Sequence, residues 1–410
     1  MEVRKALSDV RVMILGTGYV ANYFAVGLER IKLGEIKPYG VPLADLDMDI
    51  DIKDVQIVAC VDVDSRKVGK SVYDVAKEFY QFNNVPRTLK RVKVMPGIEL
   101  GLVKDLFPIK SLDSQMDLLS SIEEMYRMIK DVRPDVIVDV TTTQYASPFG
   151  TYDRLETAIE QGNGFTPTQL YAYLALRYMK EVEPIAYINL IPTPIANDLA
   201  YVTTAKKFGG LVLGDDGATG ATPFTADILE HLKERNRKVL GIAQLNIGGN
   251  ADFMALLNER RNRAKEITKS SIVEDILGYD APHYIRPTGF LESLGDKKFV
   301  AIHIEYVSFN GARDEIIVNM RINDSPALAG YIVDLVRIAK IALERGIYGT
   351  IYDVNAFYMK KPGPPGSKNL SRIVAYQKLV SFVKSMIEAE TRSVALAETI
   401  NERTIEEITD

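Results

Sequence analysis

The chain has 410 residues, 50 of them basic and 55 acidic, for a net charge of −5, and 47% of its residues are hydrophobic. That length and hydrophobic content suffice for two or three domains with sizeable cores, and the charge balance excludes nucleic-acid or membrane-surface binding driven by bulk charge. No apolar run approaches the ~18 residues of a membrane span, and MEVRKALSDV carries no apolar secretory segment, which predicts a cytoplasmic location. Cys60 is the single cysteine, so an intrachain disulfide and a cysteine metal cluster are excluded.

Val10–Leu15 reads as a buried strand. Gly16-Thr17-Gly18-Tyr19-Val20-Ala21 follows it, and Val20, Phe24, Leu28 and Ile31 then recur at helical spacing. Strand, G-x-G-x-x-A turn and helix together form the arrangement that brings backbone N–H groups and a helix N-terminus to a dinucleotide pyrophosphate. Gly16, Gly18, Tyr19, Val20 and Ala21 are the candidate cofactor contacts. The acid at the end of the second strand, Ile57–Asp62, is Asp62. It lies 44 residues after Gly18 rather than the usual ~20, so Lys32–Asp54 is an excursion between helix and strand. Asp64-Ser65-Arg66-Lys67 reads as a helix start of its own, which leaves Asp62 for a ribose. An acid there favours NAD over NADP by repelling a 2′-phosphate; the nearby Arg66 and Lys67 work against that preference.

Residues 80–115, with Pro86, Pro96, Gly97, Gly101 and Pro108, read as an irregular surface excursion. Met116–Val132 is helical, and Asp135–Val140 is a buried parallel strand. It ends in Thr141, Thr142 and Thr143, at the edge where this fold class binds ligands; the hydroxyls there suit a ligand or a cap equally. Helices over Tyr152–Gln161 and Thr168–Met179 precede strands at Ile185–Leu190 and Leu211–Leu213. The latter delivers Gly214-Asp215-Asp216-Gly217-Ala218, a run small enough for backbone to approach a ligand.

In Ala243–Lys269 a buried strand reaches Asn246, breaks at Gly248–Gly249 and presents Asn250, Asp252, Lys265 and Lys269. The glycine pair lets backbone come close to a ligand. Two lysines four apart share one helix face and repel each other, an arrangement that suits an anion between them. Strands with period-two alternation at Lys298–Val307 and Glu315–Ile322 predict a sheet open on one face. A long helix over Ala327–Arg345 has Asp324 or Ser325 as its N-cap. Phe357-Tyr358-Met359-Lys360-Lys361-Pro362 leads through a Pro/Gly turn to a last helix near Ser371–Ala389 and a charged tail. The three histidines, His231, His283 and His303, have no metal-ligand spacing.

Six pieces in register resemble the myo-inositol-1-phosphate synthase family, in particular its prokaryotic and archaeal branch. They are Gly214-Asp215-Asp216-Gly217, Asn246-x-Gly248-Gly249-Asn250-x-Asp252, Lys265-x-x-x-Lys269, Asp296-Lys297-Lys298, Asp324-Ser325-Pro326 with Asp334-Leu335-x-Arg337, and Tyr358-Met359-Lys360. The resemblance implies an α/β fold: an interrupted Rossmann NAD-binding domain with an inserted α+β catalytic and tetramerisation domain. The corresponding division is 1–242, 243–323 and 324–410, the last part returning to the NAD-binding domain. It implies Lys265, Lys269, Lys298, Lys360 and Asp324 as catalytic residues, with Asp324 also beside the nicotinamide. Gly249, Asn250 and Asp252 fall on the substrate pocket, and Thr141, Thr142, Asp215 and Asp216 join the cofactor contacts. One departure stands out: many members carry a lysine just after Gly-Asp-Asp, where this chain has Gly217-Ala218.

The implied reaction converts D-glucose 6-phosphate to 1L-myo-inositol 1-phosphate. NAD oxidises carbon 5, a proton leaves carbon 6, the enolate attacks carbon 1, and the hydride returns. The resemblance also implies a homotetramer, and it allows a divalent metal ion, for which the sequence offers candidate oxygen ligands without singling out a set. The alternatives are a NAD-dependent sugar-phosphate dehydrogenase that releases NADH and a non-catalytic relative that binds NAD and a sugar phosphate.

Overall fold

The first strand, β1 (Val10–Leu15), is apolar and buried except at Arg11 because both of its faces are covered. Val10, Val12 and Ile14 enter one core and Met13 and Leu15 the other, as the two-residue period of a strand requires. β4 (Val136–Asp139) repeats the division, with Val136 and Val138 on one side and Ile137 on the other. β2 (Val55–Asp62), β3 (Val94–Pro96), β5 (Ala186–Asn189) and β6 (Leu211–Leu213) complete a six-stranded sheet. Its order is β3-β2-β1-β4-β5-β6, and every pairing is parallel. The order reverses between β1 and β4, which opens a crevice at the carboxyl ends of those strands. This computed structural model describes residues 9–250, 253, 254, 257 and 272–388.

β3 corrects the reading of residues 80–115 as wholly irregular. Three residues are too few to show a period, and Pro96 is tolerated because this is the sheet edge. The expected excursion between the Tyr19–Lys32 helix and β2 is present and firmly held. Asp334, fully buried, accepts from Leu43 N at 2.9 Å, from Arg337 at 2.6 Å and from the Tyr358 hydroxyl at 2.8 Å. Arg337 also donates to the Leu43 and Ile50 carbonyls. The Asp-Leu-x-Arg motif thus clips the excursion to the Asp324–Glu344 helix, which itself packs on the first core beside the Tyr19–Lys32 helix.

A second sheet, β10-β9-β7-β8, is formed by β7 (Lys238–Gly248), β8 (His283–Phe290), β9 (Lys297–Val307) and β10 (Arg313–Asn323). β8 carries no strand pattern of its own: Arg286-Pro287-Thr288-Gly289 breaks its alternation, and its pairing to β7 slips a register at Asn246/Ile247. On β9, Val300, Ile302, Ile304 and Tyr306 pack against the Ala221–Glu234 helix and residues 272–277. The opposite face leaves Leu245, Phe299 and Ile317 exposed, the last to 68%. This is the expected half-open sheet.

Candidate active site

The crevice is a cavity of about 530 Å³. Its walls come from the glycine turn, the ends of β2, β4 and β5, the loop after β6, and residues of the second sheet and the Asp324–Glu344 helix. The segment Ile98–Phe107, read from sequence as surface, forms an apolar wall through Leu102, Val103, Leu106 and Phe107.

Gly16 has φ +90, and a Cβ there would lie 2.9 Å from the Thr141 backbone, so only glycine lets the first and fourth strands' loops meet. Gly18 is the N-cap of the Tyr19–Lys32 helix without a side-chain cap. A Cβ at Gly18 would meet nothing within 4 Å. That pairing of a tight turn with an open helix N-terminus fits a dinucleotide pyrophosphate. Tyr19 and Val20 line the cavity, as do Thr141 and Thr142. The Thr141 hydroxyl turns back onto Asp139 at 2.6 Å. Ala21 does not line the cavity: it is packed in the core beneath the helix, where a small residue lets helix and strand approach.

Asp62 is where the reading of the β2 end needs correcting. Asp64–Lys67 forms turns, not a helix, and Asp62 itself holds that turn. Its Oδ1 accepts from Val63 N at 2.7 Å and Asp64 N at 2.9 Å. Its Oδ2 accepts from Thr17 N at 2.9 Å and Lys67 Nζ at 3.2 Å. The carboxylate lines the cavity but is not idle.

Two lysine–aspartate pairs face the cavity from the other end. Lys360 Nζ lies 2.9 Å from Asp216, both nearly inaccessible. Lys298 pairs with Asp324. Asp324 is the first residue of its helix rather than the cap, since Asn323 occupies that place; its carboxylate serves the lysine instead. A Cβ on Gly220 would fall 2.7 Å from Asp324 Oδ1 and 3.1 Å from Lys298 Nζ, so this glycine makes room for the pair. Lys360 is set by a short antiparallel contact in which Lys360 N donates to Asp216 O and Ala218 N to Tyr358 O, both at 2.7 Å. Ala218 is fully buried in that contact.

Asp215 does not reach the cavity. It is buried and accepts from the side chains of Asn189 and Asn197 and from the backbone N–H groups of Ile195, Ala196 and Asn197, at 2.6–3.0 Å. Burial pushes its carboxyl up to about 6 against the pull of those donors. The sequence reading made it a cofactor contact; the fold uses it to tie the β5 loop to the β6 loop.

Gly248 and Gly249 were read as yielding to a ligand, but they yield to protein. A Cβ on Gly248 would strike the Phe253 ring at 2.3 Å, and one on Gly249 would lie 2.4 Å from Leu291 O. Asn250 lines the cavity and donates to Asp296 at 3.1 Å; Ser325 donates to the same oxygen at 2.6 Å. Asp296 therefore joins the Asn250 loop to the start of the Asp324–Glu344 helix, a role its place in Asp-Lys-Lys did not announce. Asp252, Lys265 and Lys269 lie outside the described residues. Among the described residues, no group of three or more His, Cys, Asp or Glu side chains is placed to hold a metal ion. No described helix is long and apolar enough to cross a membrane.

Together these features define a doubly wound α/β protein whose ligand crevice is walled in part by a second sheet and faced by two lysine–aspartate pairs. A family model described as myo-inositol-1-phosphate synthase matches residues 220–325. The inositol-3-phosphate synthase of Corynebacterium glutamicum is 28% identical over 395 residues, covering 92% of this chain and 98% of that one. That of Mycobacterium tuberculosis strain H37Rv is also 28% identical, over 87% of this chain and 92% of its own. The crystal structure of a myo-inositol-1-phosphate synthase-related protein from Thermotoga maritima superimposes with a TM-score of 0.87 at 52% identity, covering 92% of this chain and 98% of that one. The chain belongs to the myo-inositol-1-phosphate synthase family.

Proposed function

We propose that the enzyme isomerises D-glucose 6-phosphate to 1L-myo-inositol 1-phosphate with NAD held along the glycine turn. The observation that carries this reading is the pair of ammonium–carboxylate contacts, Lys360–Asp216 and Lys298–Asp324, in one cavity with the dinucleotide-type turn. NAD held there would supply reversible hydride acceptance at carbon 5 of the sugar, so that no net redox would occur. The chain's own residues manage protons and oxyanion charge. Lys360 handles the proton of the carbon 5 hydroxyl, with Asp216 as its partner. Lys298, oriented by Asp324, stabilises negative charge on that oxygen while carbon 6 loses its proton and the enolate closes onto carbon 1. Preorganised ammonium groups in a secluded site suit such charge development. Lys265 and Lys269 are assigned to the phosphate or the aldehyde oxygen on the strength of the sequence resemblance.

The reading takes the chain to work in the cytoplasm as a homotetramer joined through the open face of the second sheet. It keeps the division of the chain at 242/243 and 323/324. The test is product analysis with catalytic amounts of NAD, by gas chromatography of inositol after phosphatase treatment. Inositol without accumulating NADH supports the synthase. Stoichiometric NADH without inositol supports a sugar-phosphate dehydrogenase, and no turnover supports a binding relative.

A further inference from the structure

The adenosine end of the crevice carries a charge arrangement that the dinucleotide reading does not require. Discrimination against a 2′-phosphate normally rests on a carboxylate at the end of the second strand that is available to ribose hydroxyls and repels a second anion. Here Asp62 has four donors on its two oxygens, about as many as a carboxylate accepts: three backbone N–H groups and the Lys67 ammonium. Lys67 Nζ also stands 4.0 Å from Asp64, and Arg66 Nη2 lies 2.7 Å from Asp64. Two carboxylates thus face two cations, and the local charge sums to zero. Burial alone would draw the Lys67 ammonium down, but Asp62, Tyr80 and Asp64 outweigh it and hold it above its ordinary value.

The cations are also posed toward the cavity. Lys67, with its side chain 8% exposed, lies 5.2 Å from the Phe79 ring centroid and 5.4 Å from that of Tyr80. The Arg66 guanidinium lies 4.9 Å from the Phe79 centroid and its side chain is 49% exposed. All four of these side chains line the cavity with Asp62 and Asp64. Such aromatic shelves hold a cation in place at the cavity wall.

We propose that Lys67, with Arg66 at the rim, forms a site for a 2′-phosphate at the adenosine ribose, so that this chain binds NADP alongside NAD and Lys67 is the specificity-determining residue. The inference rests on the dinucleotide reading of the crevice and concerns only which dinucleotides enter it. A phosphate arriving there meets a neutral cluster with two cations able to re-pair, instead of an unpaired carboxylate. The attraction of a dianion for one partly buried ammonium is ample to move a binding ratio by a factor of ten.

The experiment is calorimetric titration of NAD and of NADP into the full chain, without substrate, for the unmutated protein and for Lys67→Met, Lys67→Arg and Arg66→Ser. The expected result is Kd values for the two dinucleotides within about tenfold of each other in the unmutated protein. Lys67→Met raises the NADP/NAD ratio of Kd by about tenfold or more, and Lys67→Arg preserves it. Arg66→Ser, on a half-exposed side chain at the rim, raises it less and keeps the test open if Lys67→Met fails to fold. NADP binding about a hundredfold weaker than NAD in the unmutated protein overturns the proposal, as does a ratio that neither residue moves. Binding of neither dinucleotide removes the cofactor reading itself, and the proposal with it.

Discussion

In the proposed reaction the chemistry converges on two single residues, Lys360 and Lys298, and each comes with its own aspartate. Removing a preorganised oxyanion donor costs on the order of 10²–10³ in turnover, so Lys298→Met and Lys360→Met should each lose about that much inositol formation. Their effects on stability should differ from those of a surface lysine. Lys360→Met leaves Asp216, 1% exposed, without its ammonium, and breaking a buried pair typically costs about 3–5 kcal/mol. Lys360→Met combined with Asp216→Asn should therefore melt higher than Lys360→Met alone while remaining as inactive. Lys297, on the exposed face of β9, is the control, and Lys297→Met should keep both turnover and melting temperature. Equal behaviour of the Lys297 and Lys298 variants, read by inositol assay and thermal melts, would remove Lys298 from the site.

At the scale of the turn between β1 and its helix, two glycines two residues apart have different reasons to be glycine. Gly16 is constrained by protein: its positive φ and the Thr141 backbone at 2.9 Å leave no space for a methyl. Gly18 is not, since its φ of −85 suits any residue and no protein atom lies near its Cβ position. Gly16→Ala should lower the melting temperature, at a cost of about 1–3 kcal/mol from backbone strain. Gly18→Ala should leave the melting temperature alone and weaken NAD binding by about tenfold or more, because its methyl enters the space of the pyrophosphate. A Gly18→Ala protein that binds NAD normally in calorimetry would mean that the cofactor does not lie along this turn. Gly249 belongs with Gly16. Its alanine variant should act through stability, since the Leu291 carbonyl sits where the methyl would go.

For the whole molecule, the second sheet packs one face against the Ala221–Glu234 helix and residues 272–277 and leaves one face open, with Leu245, Phe299 and Ile317 exposed on it. Under the proposed assembly these exposed apolar side chains belong to the interface. The homotetramer reading gives it a second copy of the same chain as its cover. Light scattering should return a tetramer at micromolar concentrations, and Leu245→Asp together with Ile317→Asp should return smaller species with the fold retained by circular dichroism. A monomer from the unmutated chain would overturn the assembly reading without touching the site, because the described cavity is built within one chain.

Much of this molecule was legible in its residues because the relevant signals are local. The apolar run of β1, the alternation in β9, the glycine turn after β1 and the small-residue run after β6 are set within a few residues, so these strands and turns could be read directly. The family resemblance then joined pieces far apart in the chain. What stayed hidden depends on contacts between distant segments. β8 exists because β7 offers it an edge, although its own pattern is broken by Pro287 and Gly289. Asp215 is a latch and Asp216 a partner of Lys360, and no property of two adjacent aspartates in sequence distinguishes them; only the approach of the β5 loop on one side and of residues 358–361 on the other does. In the same way, sequence marked Asp62 as an acid at the end of a strand, while tertiary structure placed Lys67 and three backbone N–H groups on its oxygens. Charge and residue type are carried by the chain itself, but whether a charge is spent on protein or left for a ligand is decided by what the fold brings within three ångströms of it.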